Sequence, residues 1–242
     1  DAMRICFLVI KNLSKIIKAK GLSTSVGDEG GFAPMINNNN QALDLIVTAI
    51  KKSGFVNGKD VSICLDVAAN ELFKNKKYSI HSNKFITVEK TIKNYTKIIN
   101  KYAIKSIEDP FEENDWISWK KLMKSNKKLQ IVGDDLYATN LDRLKKGFLN
   151  GSSNSILIKL NQIGTVTETL EVIKFAKIIG YKTIISHRSG DSEDTFIADL
   201  AVGTDSSQIK TGSLSRSERV SKYNQLLRIE EDLGKETKMN SI

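Results

Sequence analysis

SILIKLNQIGT, residues 155–165, places one charged side chain, Lys159, in a run of apolar residues that otherwise predicts a buried strand. Burying an ammonium group in an apolar wall costs free energy unless the group is used. A lysine that is partly desolvated near other positive charge has a lowered pKa and can act as a base. The structural alternative is a lysine at a strand end whose ammonium reaches water. For one strand alone this alternative is favoured. Whether Lys159 has a functional role therefore depends on the residues at the ends of the other strands.

Apolar strands and amphipathic helices alternate six times along the chain. The predicted strands are 61–66, 104–109, 129–135, 155–159, 182–188 and 207–210. Helices follow near 88–102, 115–125, 140–149, 165–179 and 193–203, and a closing helix directs Tyr223, Leu226, Ile229 and Leu233 inward. Two further helices, 3–19 and 41–53, precede the first strand. Alternating βα units predict parallel strands buried on both faces, in an open doubly wound sheet or in a closed barrel.

The ends of the predicted strands favour the barrel. The sequence contains neither G-x-G-x-x-G after a first strand nor G-x-x-x-x-G-K-[ST], the motifs that support nucleotide-binding open sheets. Each strand instead ends in a polar or charged residue: Asp66, Glu108, Asp134, Lys159, His187 with Arg188, and Lys210. In a βα barrel those ends converge on one mouth. We therefore predict an α/β fold of the TIM-like (β/α)8 barrel type that is incomplete, with six βα units preceded by a pair of helices.

The charges at these ends predict a metal site and an anion site. Singly, each acid is more often a cap or a surface charge, but three carboxylates on adjacent strands repel one another unless a cation lies between them. All-oxygen ligands select a hard ion such as Mg²⁺. The other strand ends are cationic: Lys159, His187, Arg188 and Lys210. These residues suit a substrate with a carboxylate and a phosphate, from which a lysine removes the proton α to the carboxylate. The residues alone leave open whether Lys159 or Lys210 is that base.

The segment GDEGGFAP, 27–34, predicts a loop, because three glycines and a proline exclude a regular element. A solvated turn is the structural alternative. The functional interpretation is a loop that holds an acid in a cleft. The pattern does not rank Asp28 against Glu29.

Composition limits the other functional classes. The 242 residues carry a net charge of +9, but the lysines are spread over nearly every element and no basic run alternates with aromatic residues. A nucleic-acid site is therefore not indicated, whereas an anionic small substrate is favoured. No apolar run reaches the roughly 20 residues of a membrane span. Cys6 and Cys64 lie in apolar runs, which predicts small buried side chains in a reducing, cytosolic compartment.

Seven long motifs give the chain a close resemblance to the enolase family, the glycolytic phosphopyruvate hydratases. They are GDEGGFAP (27–34), LDVAANELF (65–73), SIEDPFEENDW (106–116), IVGDDLYATN (131–140), SILIKLNQIGT (155–165), SHRSGDSEDTFIADLAVG (186–203) and QIKTGSLSRSERVSKYNQLLRIEEDLG (208–234). The resemblance extends over nearly the whole chain, and motifs of this length make it specific.

The resemblance implies a role for each site residue. Lys159 would remove the C2 proton of 2-phosphoglycerate, and Glu29 would protonate the departing C3 hydroxyl. The remaining roles are ligation of Mg²⁺ by Asp66, Glu108 and Asp134, phosphate binding by Arg188 and Ser189, carboxylate binding by Lys210, and lining of the pocket by His187. It also implies a homodimer of the complete protein in the cytoplasm, with some relatives found at the cell surface or secreted.

The family pattern includes segments that this sequence lacks: an N-terminal α+β domain, two opening barrel strands, and a loop whose serine helps to ligate a second Mg²⁺. We therefore expect residues 1–242 to form one partial catalytic barrel domain. Alone, this chain should have low activity and strand edges prone to association.

Two alternative functions stay open at this point. The first is another barrel dehydratase or racemase acting on a carboxylate sugar, against which SHRSG and Lys210 argue because they indicate a phosphate site. The second is a non-catalytic role as a scaffold or surface receptor, with plasminogen or an RNA-degradation partner as the ligand.

Overall fold

The computed structural model describes residues 1–80, 84–206 and 208–239. The chain divides into two compact units. Unit 1 consists of Asp1–Val61 with Ile185–Ile242, and unit 2 consists of Ser62–Ile184. The division falls within one strand, so each unit is described by itself. The prediction of a single domain over 1–242 stays a prediction.

Helices α1 to α9 span Ala2–Ala19, Asn39–Lys52, Val88–Tyr102, Trp116–Ser125, Leu141–Asn150, Leu160–Ile163, Val166–Ile178, Phe196–Gly203 and Ser217–Leu233. Strands β1 to β8 span Cys64–Asp66, Phe73–Lys74, Lys77–Tyr78, Ser106–Glu108, Gln130–Gly133, Ser155–Ile158, Lys182–Ser186 and Gln208–Lys210. Short 3-10 helices occur at Ala69–Leu72 and Gly234–Glu236. None of the helices within the described residues is long and apolar enough to span a membrane.

In unit 2, the parallel strands β1, β4, β5 and β6 lie side by side. The register pairs Leu65 with Ile107 and Ile107 with Ile131. Every residue of β4, β5 and β6 is buried, as expected for parallel strands covered on both faces. Because neighbouring parallel strands all point the same way, their carboxyl ends lie at one edge of this sheet.

Local sequence explains the helices that flank β6. Asn140 caps α5 by accepting hydrogen bonds from the backbone N–H groups of Asp142 and Arg143. Gly151 ends that helix with a positive φ of 64°. Thr165 caps α7 by accepting from the backbone N–H of Glu168. These caps satisfy helix-end groups that would otherwise lack partners, so the chain before and after β6 is well defined.

In unit 1, α1 and α2 pack through Ile16, Leu45 and Ala49. In α2, Leu43 and Ile50 are buried, whereas Ile46 is only partly buried. The end of β7 joins β8 through a hydrogen bond of 3.0 Å from the His187 backbone N–H to the Lys210 carbonyl. All six predicted principal strands are present, although most are shorter than expected.

The structure departs from the sequence predictions in several elements. The polar segment after β1 contains the short antiparallel pair β2 and β3. In α9, the side chains that are fully buried belong to Arg219 and Lys222, while Leu233, predicted to face inward, is 42% exposed. The start of the last predicted strand, Ser207, lies outside the described residues.

The prediction that both cysteines are buried is wrong. Cys6 and Cys64 are both exposed free thiols. Cys64 lies in β1, which has β4 as its strand partner on one side and, within the described ranges, no strand partner on the other. An apolar sequence run indicates burial only when a partner covers both faces and edges of the strand. Cys6 lies in α1, whose buried residues, Ile16 and Ile17, are near the other end of the helix.

Candidate functional site

The ends of β1 and β4 place two predicted metal ligands next to each other in unit 2. Asp66 and Glu108 are paired Cα partners in the parallel register. Glu108 is buried, whereas Asp66 is exposed. The charge of Glu108 also contributes, after burial, to the raised pKa of the Cys64 thiol. The register therefore brings these two carboxyl residues together, while their role as ligands stays a prediction.

Asp134 and Lys159 form an ion pair in unit 2. Lys159 Nζ donates to Asp134 Oδ2 at 2.5 Å, and the two side chains are 15% and 11% exposed. Gln162 Nε2 donates to the other carboxylate oxygen of Asp134 at 3.5 Å. Thr139 Oγ1 accepts from the Lys159 backbone N–H at 2.9 Å and donates to Gln162 at 3.0 Å. Lys159 is therefore held by a carboxylate at the end of the neighbouring strand.

Asp109 orients the segment that carries Asp134. Its two carboxylate oxygens accept from the backbone N–H groups of Asp134, at 3.0 Å, and Asp135, at 2.8 Å. Its backbone has a positive φ of 41°, a conformation that aspartate tolerates better than most residues. Burial raises the pKa of Asp109 well above its ordinary value, partly offset by these backbone hydrogen bonds. Asp109 thus fixes the position at which the Asp134 side chain leaves the strand.

Three carboxylates in unit 2 form a compact group that could hold a cation. One oxygen from each of Asp109, Asp134 and Asp135 lies within 4.8 Å of the others. Burial, and then the charge of Asp134, raise the pKa of Asp135. The Lys159 ammonium offsets part of this negative charge, and the all-oxygen donor set also fits a hard divalent ion. The group shares Asp134 with the predicted set, which also contains Asp66 and Glu108.

Sequence reasoning missed Asp109, Asp135, Thr139 and Gln162. A signal for two of them is present, because each predicted ligand at the ends of β4 and β5 is followed directly by a second acid. Alternation along a strand sends the second acid in another direction, so the pattern alone does not place it with the first. Thr139 and Gln162 give no comparable signal, since their contacts join residues 20 and 28 positions apart in the chain.

In unit 1, the Gly-rich loop at 27–31 is fixed against the segment that follows β8. The Glu29 carbonyl accepts from the Ser213 backbone N–H at 2.9 Å, and Ser215 Oγ donates to the Gly30 carbonyl at 2.7 Å. A Cβ atom on Gly212 would lie 2.7 Å from the Glu29 carbonyl oxygen. The backbone of Glu29 is therefore fixed, while its side chain is 47% exposed.

His187 follows β7 in unit 1 and is 2% exposed. Its Nε2 lies 3.3 Å from Glu29 Oε2, and its Nδ1 lies 2.6 Å from Arg219 Nη1. Burial lowers the pKa of His187 to about 4, and the charges of Arg219 and Lys210 act in the same direction. The carboxylates of Glu29 and Asp191 oppose this shift. His187 is therefore neutral near pH 7.

Arg188 and Ser189 are exposed and form the start of the loop after β7. Their carbonyl oxygens accept from Arg219 at 2.7 and 2.6 Å, respectively. Asp191 Oδ2 accepts from the Arg188 backbone N–H at 3.2 Å. Hydrogen bonds from the buried Arg219 thus hold the backbone of this loop, while Arg188 and Ser189 themselves are exposed.

The predicted residues of unit 1 form one neighbourhood. Glu29 and His187 lie side by side, and His187 is joined to Lys210 through the backbone. Sequence reasoning missed Arg219, Lys222 and Asp191, whose hydrogen bonds hold His187 and the loop after β7 in place. The spacing of Arg219 and Lys222 places them on one face of α9, but charged residues at that spacing normally indicate a solvated face.

Comparison with known proteins identifies the family. Residues 1–242 match the family described as "Enolase, C-terminal TIM barrel domain". The chain belongs to the enolase family. This membership confirms the predicted fold class, an α/β fold of the enolase TIM-barrel type, of which the described parallel strands form a part.

A curated relative is similar over the whole chain. The protein named "Enolase" from Pelagibacter ubique (strain HTCC1062) is 79% identical over 242 residues, which is 100% of this chain and 58% of the relative. This enolase-family chain therefore spans less than two thirds of the length of that relative.

Proposed function

We propose that the protein containing this enolase-family chain is a glycolytic lyase that reversibly dehydrates 2-phosphoglycerate to phosphoenolpyruvate with Mg²⁺. One observation carries the proposal: the ion pair between Lys159 and Asp134, at the carboxyl ends of adjacent buried strands. The pair joins the residue proposed as the base to a residue proposed as a metal ligand. Family membership and the close relative named "Enolase" support it.

Unit 2 supplies the proton-abstracting half of the proposed reaction. Lys159 takes the proton from C2 of the substrate, and it can do so only once its ammonium has lost a proton and its ion pair with Asp134 has loosened. Asp66, Glu108 and Asp134 would hold the Mg²⁺, since two of the three are buried and all offer oxygen atoms. When bound, the metal supplies positive charge that stabilises the ene-diolate.

Unit 1 supplies the proposed acid and the anion-binding groups. Glu29 protonates the departing C3 hydroxyl, a role supported by its fixed backbone and exposed carboxyl group. Arg188 and Ser189 bind the phosphate, as their exposed positions allow. Lys210 binds the substrate carboxylate, and His187 lines the pocket beside Glu29. The proposal extends to a homodimer of the complete protein located in the cytoplasm.

The test is a turnover assay on the full-length protein that contains this chain. We expect phosphoenolpyruvate to form from 2-phosphoglycerate with Mg²⁺, and turnover to stop when a chelator is added and resume when Mg²⁺ is restored. Glycerate and sugar acids without phosphate are the matched controls and should not react. Turnover of the unphosphorylated acids alone would overturn the proposed substrate, and turnover that the chelator does not affect would overturn the metal dependence.

A further inference from the structure

The guanidinium group of Arg219 is completely buried in unit 1, and its terminal nitrogens make four hydrogen bonds. Nη1 lies 2.6 Å from His187 Nδ1 and donates to the Arg188 carbonyl at 2.7 Å. Nη2 donates to the carbonyls of Asp28, at 3.1 Å, and Ser189, at 2.6 Å. A buried arginine is costly unless its donors are used. Here all four N–H groups of the two terminal nitrogens have an acceptor.

The contact with His187 determines where the proton of the imidazole lies. A guanidinium has only donors and stays charged at all accessible pH values. His187 Nδ1 must therefore accept the hydrogen bond from Arg219, which leaves the proton of the neutral ring on Nε2. Nε2 is the nitrogen that lies 3.3 Å from Glu29 Oε2, a close approach that is not aligned as a hydrogen bond in this structure.

We propose that Arg219 is a positioning residue that fixes His187 as the neutral tautomer protonated on Nε2 and so places this N–H group, not a lone pair, beside the Glu29 carboxyl group. The catalytic part of this inference rests on the proposed function of Glu29. The tautomer matters because the opposite one would present the Nε2 lone pair to a carboxylate oxygen, and two acceptors repel each other.

The charges around His187 are consistent with a ring held neutral. The titratable groups that face it are Glu29 from the Gly-rich loop, Arg219 from α9, Lys210 from β8 and Asp191 from the loop after β7. The two cations oppose protonation of the ring and the two acids favour it. Burial adds to the effect of the cations, so the ring stays neutral while its Nε2 proton lies beside the Glu29 carboxyl group.

A second buried cation of α9 provides an internal control. Lys222 Nζ donates to Asp191 Oδ1 at 3.2 Å, to the Glu218 carbonyl at 2.7 Å and to the Ser192 carbonyl. Lys222 is 1% exposed and Arg219 is 0% exposed. Lys222 supports the same loop, yet none of these bonds involves His187. Loss of Lys222 therefore removes a buried cation of α9 without removing any hydrogen bond to His187, and it leaves the Asp191 carboxylate without this partner.

The first measurement uses the wild-type full-length protein labelled with ¹⁵N-histidine. The His187 resonances are assigned by their loss in His187→Gln. We expect Nδ1 to give a resonance of the unprotonated type and Nε2 one of the protonated type, both unchanged between about pH 8 and about pH 6. A protonated Nδ1 in the wild type would overturn the inference, and no variant has to fold for this result to be obtained.

The second measurement compares Arg219→Met, Arg219→Lys and Lys222→Met. In Arg219→Met we expect mixed tautomers of His187, a fall in kcat of about tenfold or more with a smaller change in KM, and a new acid limb near pH ~6.5. Arg219→Lys keeps a charge and a donor, so it should restore part of the tautomer preference and of kcat. Lys222→Met should lower the unfolding midpoint while keeping the wild-type tautomer, because no bond of Lys222 involves the His187 ring.

The outcomes separate this inference from the proposed function. If Arg219→Met only loses stability, as Lys222→Met does, and keeps the tautomer and the pH profile, the inference is overturned. If the tautomer is as expected but the wild type does not turn over 2-phosphoglycerate, the proposed function fails while the assignment of the tautomer is supported. Should Arg219→Met fail to fold, the wild-type spectrum and Arg219→Lys decide the question.

Discussion

Lys159 Nζ lies 2.5 Å from Asp134 Oδ2, and the two residues come from the carboxyl ends of adjacent parallel strands. Both side chains are largely buried, so breaking the pair is more costly than breaking an exposed ion pair, because it leaves an uncompensated charge. The pair also couples two proposed functions, since a change at Asp134 alters the immediate surroundings of the proposed base.

Lys159→Ala should abolish exchange of the C2 proton of 2-phosphoglycerate with solvent deuterium in the full-length protein. The physical reason is that the variant has no group at this position to accept the proton. A general base typically contributes about 10²- to 10⁴-fold to the rate. Proton NMR of the substrate in deuterium oxide measures the exchange directly.

Lys210→Ala is the matched control, because it removes the other lysine at a strand end. We expect it to raise KM, through loss of carboxylate binding, while exchange continues at saturating substrate. Persistent exchange in Lys159→Ala together with its loss in Lys210→Ala would transfer the role of base to Lys210.

Asp134→Asn should abolish Mg²⁺-dependent turnover and leave the fold intact. The amide has the same shape as the carboxylate and remains next to Gln162 and Lys159, but it removes one ligand charge. The loss of the ion pair should lower the free energy of unfolding by roughly 1 to 3 kcal/mol, because the pair is largely but not fully buried. Circular dichroism checks the fold, and a Mg²⁺ titration checks the activity; normal turnover at saturating Mg²⁺ would refute the assignment.

Glu108→Gln and Asp135→Asn distinguish the two carboxylate sets of unit 2. The predicted ligands include Glu108, whereas the compact group seen in the structure includes Asp135. We expect Glu108→Gln to raise the Mg²⁺ concentration needed for half-maximal turnover by about tenfold or more, since it removes a ligand charge. Asp135→Asn should change that concentration much less. The reverse order of effects would assign the metal to Asp109, Asp134 and Asp135.

The strand ends could be predicted from the sequence because each one is a local signal. An apolar run that stops at an acid or a lysine predicts both the strand and the direction of its end, which is how Glu108, Asp134 and Lys159 were selected. Which carboxylate pairs with which cation depends on register, and register follows from contacts between strands. The contact between Lys159 and Asp134 joins residues 25 positions apart, so no local pattern reveals it.

The buried cations of α9 show the opposite case. Apolar periodicity selected Tyr223, Leu226 and Ile229 as inward residues, because a helix normally buries its apolar stripe. Arg219 is buried because its acceptors come from residues 30 to 191 positions away. Likewise, the apolar run around Cys64 did not reveal that one edge of β1 lacks a strand partner within the described residues.

His187 should make the protein less stable in mild acid. Its folded-state pKa is lowered to about 4, whereas an unfolded histidine titrates at about 6.5. Between these values the unfolded chain binds a proton that the folded protein does not. The free energy of unfolding therefore falls as the pH falls through this window, and above the window titration of His187 does not change it. The full loss is on the order of 3 kcal/mol.

Denaturant titrations of wild type and His187→Gln, at several pH values within that window, measure this effect. Because the variant lacks the titrating ring, the difference in stability between the two proteins should narrow steadily as the pH falls. Two curves that stay parallel from pH ~6.5 to pH ~4 would show that His187 titrates in the same way in the folded and unfolded states.

Gly212→Ala should disturb the Glu29 loop, and Gly21→Ala should not. Both glycines have a positive φ, of 81° and 71°, so each alanine variant pays a conformational cost of about 1 kcal/mol. At Gly21 the new Cβ meets nothing within 4 Å, but at Gly212 it would lie 2.7 Å from the Glu29 carbonyl oxygen and 2.9 Å from Arg219 Cδ. Relieving that overlap requires the backbone of Glu29 to move, which adds roughly 1 to 3 kcal/mol of destabilisation.

Because Glu29 is the proposed acid, Gly212→Ala should also lower kcat in the full-length protein, whereas Gly21→Ala should lower only the unfolding midpoint. Equal losses of stability in the two variants, with unchanged kcat, would mean that the segment after β8 does not hold the Glu29 loop in place.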